Sequence, residues 1–209
     1  TMDKEAKRHR SYELFWIWLS KSWWVTQAIE KNFFRSDFFM YSDIGCFRSA
    51  AWNGKRLIQH ANIVPANTVM WMAHHAPNPP ANRLWNDKFR EKDHFYHSGS
   101  QGAGTVEAWR RFHQVFAETM DQFASNGLFI GEDQCILQSA CLGSYHTAPL
   151  GSSSSGNSNN NTGRSTGVCT YAPFDQVPDN HYFGLRHVLH HGGDHYQFWK
   201  PPLENDMAR

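Results

Sequence analysis

A short apolar run that ends on an aspartate does most to restrict how this chain can fold. Phe38-Phe39-Met40-Tyr41-Ser42 runs without alternation into Asp43, and Gly45 follows two places later. A buried strand bounded by turn residues reads this way. Without alternation, both its faces are expected to be covered, as in the sheet of an α/β fold. Ligands of such sheets bind beyond the carboxyl ends of the strands, and Asp43 stands at that end. A carboxylate there is placed to hold a hard cation and, through it, a phosphate. Taken alone, Asp43 reads more simply as a turn residue that caps the next segment.

The rest of the chain sets this strand in an α/β rhythm. Leu14-Phe15-Trp16-Ile17-Trp18-Leu19 reads as a short buried strand. Ser20 then caps a helix from about residue 21 to 31, with Trp24, Ala28, Val25 and Ile29 turned inward. Followed by the Phe38 run, this is strand–helix–strand, the unit of a parallel sheet. Thr68-Val69-Met70-Trp71-Met72 is a further strand, and residues 74–80 form a proline-rich loop containing His74 and His75. Ser98-Gly99-Ser100-Gln101-Gly102-Ala103-Gly104 reads as a loop whose glycines let the backbone approach a ligand.

Residues 106–126 form the clearest helix. Thr105 is its N-cap, Glu107 favours the first turn, and Gly127 ends it. Trp109, Phe112, Phe116, Met120 and Phe123 make one helical stripe, which is core packing. After Leu128-Phe129-Ile130, the cluster Gly131-Glu132-Asp133-Gln134 opens a helix from Cys135 to Leu142. Residues 151–167 are rich in Ser, Asn and Gly and read as a disordered insertion. It contains the sequon Asn160-Asn161-Thr162. A last helix spans about residues 182–191. The chain thus divides into a lead-in (1–11), an α/β core (12–150), the insertion (151–167) and a return to the same domain (168–209).

Composition limits the function classes. The 20 basic and 19 acidic residues give a net charge of +1, which offers no electrostatic case for nucleic acid or for an anionic membrane. No apolar run reaches the ~20 residues of a membrane span. Cys46, Cys135, Cys141 and Cys169 form no Cys-x-x-Cys pair, so two disulfides or four buried thiols are both open. The 13 histidines make a metal site worth testing. His187 and His191 share a helix face at ligand spacing, although surface histidines are the commoner explanation. There is no nucleophile elbow, P-loop or dinucleotide-binding glycine pattern.

Several of these segments together resemble one family. Trp18-Leu19-Ser20-Lys21, Ser36-Asp37-Phe38-Phe39-Met40-Tyr41-Ser42-Asp43-Ile44-Gly45-Cys46-Phe47-Arg48, the residue 98–102 segment and Gly131-Glu132-Asp133-Gln134 occur in order. This resembles the HtrL/YibB (WlaTC-like) family over residues 12–142, and more weakly over 182–189. That family is similar to GT-A glycosyltransferases. The resemblance implies a GT-A-like mixed sheet flanked by helices and a nucleotide-sugar donor. It also implies a divalent metal, Mn²⁺ or Mg²⁺, and a glycan or other hydroxyl acceptor. Asp43, with Gly45, Arg48, Gly99, Gly102 and Gln134, would hold the donor. Asp43 and a late histidine, His191, would bind the metal. Asp133 or Glu132 would serve the acceptor as general base or orienting carboxylate.

The chain departs from the family in three ways. Asp43-Ile44-Gly45 has one carboxylate where an Asp-x-Asp element has two, and the glycine segment carries Ser100-Gln101 and Ala103. Only residues 1–11 precede the stretch of resemblance, where family members carry more chain, so the fold is expected to be incomplete on that side. The alternative is an inactive GT-A-like binding or structural module.

Overall fold

The structure is a computed structural model, and it describes residues 11–48, 50–73, 97–142, 167–173 and 183–192. The proline loop with His74 and His75, most of the 151–167 insertion with its sequon, and the tail beyond residue 192 lie outside the described residues.

The molecule is mixed α/β. The described residues form four strands, β1 (Phe38–Ser42), β2 (Val69–Ala73), β3 (His97–Thr105) and β4 (Cys169–Pro173). They lie side by side in the order β1-β3-β2-β4. β3 runs antiparallel to both β1 and β2, and β2 runs parallel to β4. The helices are α1 (Glu13–Leu19), α2 (Lys21–Lys31), α3 (Val106–Ser125), α4 (Asp133–Leu142) and α5 (Gly184–His191).

Alternation along the strands separates two cores. Val69, Trp71, Cys169 and Tyr171 point towards α2, α3 and α4, with Phe39 and Tyr41 packed alongside. Met70, Met72, Ala103 and Ala172 point the other way, towards Leu185, Val188 and Leu189 of α5. β2 and β4 are therefore buried on both faces. β1 is half-buried along its length, because it is an edge strand of the described sheet.

Helix α3 follows its sequence signals. The Thr105 hydroxyl accepts from the Ala108 amide at 3.2 Å. At the other end Gly127 takes φ +63°. There the Gly127 and Leu128 amides return to the carbonyls of Ala124 and Phe123, which is the Schellman closure. The stripe of Trp109, Phe112, Phe116 and Phe123 is buried against the sheet.

Four expectations are corrected. The Leu14–Leu19 run is helix α1, not a strand. Leu14, Phe15, Trp18 and Leu19 turn inward while Trp16 and Ile17 face solvent, a helical spacing. In α2 the inward residues are Lys21, Ser22, Val25 and Ile29, and Trp24 and Ala28 are exposed. With α1 helical and β1 antiparallel to its neighbour, the expected parallel strand–helix–strand unit does not form. The expected glycine loop at 98–104 is β3, at the centre of the sheet. Its small residues answer to packing: a Cβ at Gly102 would lie 2.8 Å from the Trp71 indole.

Candidate functional site

The site is built from the end of β1, the start of α2, the bulged part of β3 and the start of α4. Between Trp71 and Met72 the register of β2 against β3 jumps from Gly102 to Ser98. Residues 99–101 therefore bow away from β2 while staying beside β1. There the Asp43 amide donates to the Ser100 carbonyl at 2.9 Å. The Cys46 amide donates to the Asp43 carbonyl at 3.0 Å. Both backbone groups of Asp43 are thus fixed, and its carboxylate is aimed by the fold.

Lys21 occupies the gap beside it. The side chain is buried at the first position of α2. Its ammonium donates to Asp133 Oδ2 at 2.6 Å and to the Gly99 carbonyl at 2.8 Å. It also lies 3.9 Å from Asp43 Oδ2. Gly99 must be glycine for this to close, since a Cβ there would sit 2.6 Å from Asp133 Oδ2. The Tyr41 hydroxyl donates to Asp43 Oδ1 at 2.5 Å, and its ring lies 5.6 Å from Lys21 Nζ. Burial, the hydrogen bond to Asp43 and the charges of Asp43 and Asp133 push the Tyr41 phenol far above its usual range. It therefore serves as a donor throughout the physiological range.

The two predicted carboxylates, 90 positions apart, are joined through one cation. They are not equivalent. The Asp133 side chain is 9% exposed and that of Asp43 is 40% exposed. Glu132 is buried next to Asp133, and Gln134 is half-buried in the first turn of α4. Behind Lys21 and Asp133 a cavity of about 10 Å³ is lined by Trp18, Ser22, Trp71, Phe112 and Phe116, the space that one water needs.

A hydrogen-bond chain links this corner to the other face of the sheet. Gln101 Nε2 donates to Ser42 Oγ at 3.0 Å, and Gln101 Oε1 accepts from the Arg186 amide at 3.2 Å. The Arg186 guanidinium donates to the Cys46 carbonyl and lies over the Trp52 ring. Gly45 lies in a 3₁₀ turn, Ile44–Arg48, directly after Asp43. The Arg48 side chain lies outside the described residues.

His191 stands elsewhere. It is exposed in the last turn of α5, on the layer opposite α2 and α4. Its ring is 4.3 Å from His187 and 4.7 Å from His190. Partial desolvation first, then the charges of His190, Lys55 and His60, lower its pKa. Among the described residues no group of three or more His, Cys, Asp or Glu gathers as metal ligands. The described side chains therefore form no multidentate cage. Asp43 offers one open carboxylate, a mode in which Mg²⁺ takes its remaining oxygens from water and phosphates.

Sequence reasoning missed Lys21, Tyr41 and Gln101. One signal for Lys21 was present: a lysine at the first position of a helix opposes the macrodipole, so it needs a separate partner. No family model, curated protein or solved structure matches the chain.

Proposed function

We propose that this chain is a GT-A-like glycosyltransferase-type protein whose donor and acceptor meet at the Asp43–Lys21–Asp133 corner. One observation carries the reading. Two carboxylates distant in sequence converge on a single ammonium at a sheet end, one of them open to solvent. Transfer from a nucleotide sugar needs charge control on the leaving diphosphate and a base for the acceptor hydroxyl. On this reading Asp43 holds the donor side, with Gly45 in the 3₁₀ turn directly after it. A divalent cation bound by Asp43 would neutralise the diphosphate.

Asp133 and Glu132 form the acceptor side. The acceptor oxygen bonds to the anomeric carbon as the bond from that carbon to the diphosphate oxygen breaks. The diphosphate leaves with the electron pair, and the hydroxyl proton passes to the acceptor-side carboxylate. Lys21 orients that carboxylate, and Tyr41 orients Asp43.

The test is calorimetric titration of Mn²⁺ with UDP- and GDP-sugars. Metal-dependent binding, lost in Asp43→Ala, supports the reading, and turnover lost in Asp133→Asn with donor binding kept assigns the acceptor side. The second reading, an inactive binding or structural module, is favoured by the closure of Asp133 against Lys21. Failure of every donor to bind would establish it over the first.

A further inference from the structure

The carboxylate oxygen that Asp43 keeps for a cation is the one that faces Lys21. Tyr41 donates to Oδ1 at 2.5 Å, which leaves Oδ2, 3.9 Å from the Lys21 ammonium. The same ammonium donates to Asp133 Oδ2 at 2.6 Å and to the Gly99 carbonyl at 2.8 Å. Two carboxylates and one main-chain carbonyl are thus gathered round Nζ from three separate parts of the chain. Carboxylate and carbonyl oxygens are the partners that Mg²⁺, Mn²⁺ and Ca²⁺ take. Lys21 therefore stands among oxygens of the type a hard cation seeks.

The charges of this group do not balance. Asp43 and Asp133 bring two negative charges against one positive, and a divalent ion in place of the ammonium would close the difference. Nor is there slack for both cations. A methyl group at Gly99 would already lie 2.6 Å from Asp133 Oδ2 and 3.2 Å from Lys21 Nζ. Lys21 is buried, so two cations sharing Asp43 Oδ2 would repel with little water between them to weaken the force.

The ammonium has one open side. The Asp43 side chain is 40% exposed and that of Asp133 9%. Trp18, Trp71, Phe112 and Phe116 line the cavity behind. The flexible four-carbon stem of a lysine can carry its charge to the open side while the helix stays in place.

We propose that Lys21 is a resident counter-cation of this corner, displaced when a divalent ion binds at Asp43. The proposal rests on the reading that Asp43 takes such an ion. Its consequence is an order of events. While Lys21 holds Asp133 Oδ2, that oxygen is not available to an acceptor hydroxyl. Departure of the ammonium frees it, so ion binding on the donor side prepares the base on the acceptor side. The affinity of the corner for the ion is correspondingly reduced by the work of moving Lys21.

The experiment is amine labelling of the full chain with acetic anhydride, read peptide by peptide by mass spectrometry. Without metal, buried Lys21 should be protected while exposed Lys31 and Lys55 react. Saturating Mn²⁺ alone should raise Lys21 labelling by roughly tenfold or more relative to those two lysines, and Asp43→Ala should abolish the rise. Calorimetry with Mn²⁺ alone gives a second readout. Lys21→Met should bind the ion roughly tenfold or more tighter than wild type, and Lys21→Arg, which keeps the charge, no tighter. Should Lys21→Met fail to fold, labelling of wild type decides without it. Lys21 that stays protected under saturating Mn²⁺ overturns the proposal, as does equal Mn²⁺ affinity in wild type and Lys21→Met, or binding by neither. Protection kept while a UDP- or GDP-sugar binds with Mn²⁺ would overturn it and leave the donor reading standing. Lys21 exposed by Mn²⁺ with no donor bound would do the reverse.

Discussion

Lys21 Nζ lies 2.6 Å from Asp133 Oδ2, an ion pair between residues 112 positions apart in which both side chains are buried. The start of α2 and the start of α4 are thereby fixed to one point, and the Gly99 carbonyl ties β3 to the same point. Such a pair is dear to break from one side, because the remaining charge stays buried.

The two ways of breaking it are unequal. Lys21→Met leaves Asp133 without its cation and is expected to cost about 3–5 kcal/mol. Asp133→Asn leaves Lys21 with the Gly99 carbonyl and with Asp43 3.9 Å away, so its cost should be clearly smaller. Urea unfolding of both single variants and the double variant checks this. Equal losses would mean that Asp43 does not share the ammonium.

Gly99→Ala should destabilise by about 1–3 kcal/mol, the usual cost of overpacking. The new methyl would meet Asp133 Oδ2 at 2.6 Å and Lys21 Nζ at 3.2 Å. In an Asp133→Ala background the first of these contacts is gone, so the penalty should shrink. A double-mutant cycle measures that coupling. Additive effects would place the glycine's importance in its backbone instead.

How much of this corner was legible in the sequence depended on the range of the signal. Helix α3 was readable from end to end because cap, stripe and closing glycine are local and agree with one another. Asp43 at a strand end and Asp133 at a helix start were readable as positions. Their meeting was only implied by the resemblance, since it needs the bulge in β3 and the buried Lys21. The glycines of β3 misled for a physical reason. Gly102 is small because Trp71 covers it, and a sequence does not distinguish a glycine making room for a ligand from one making room for an indole. The α1 run misled because it is short, and its inward pairs emerge only once Trp16 and Ile17 are known to face water.

The cysteines reduce to one bridge and two thiols. Cys141 and Cys169 are joined across 28 positions, while Cys46 and Cys135 are buried and in no disulfide. A loop of that length corresponds to roughly 3–4 kcal/mol by the chain-entropy account. Cys141→Ala/Cys169→Ala should lower stability by about that amount, read by chemical denaturation. Thiol titration of the unfolded chain should give two groups before reduction and four after. Four before reduction would remove the bridge between α4 and β4.

His113 gives the fold a pH dependence of defined sign. It lies half-buried on α3, with Nδ1 2.9 Å from the Ser22 hydroxyl on α2. Burial lowers its pKa below the ordinary 6.5. Between that lowered value and 6.5 the unfolded chain holds more protons than the native one, so stability rises with pH across the interval. The contribution is complete above 6.5 and is lost as pH falls towards the folded value. Below that it changes no further. His191 is shifted the same way, so the reading is taken as a difference from a variant. Denaturant midpoints for wild type and His113→Gln, measured from neutrality downward, should converge as the solution is acidified through this window. Parallel curves would mean that His113 takes up its proton equally well in the folded and unfolded chain.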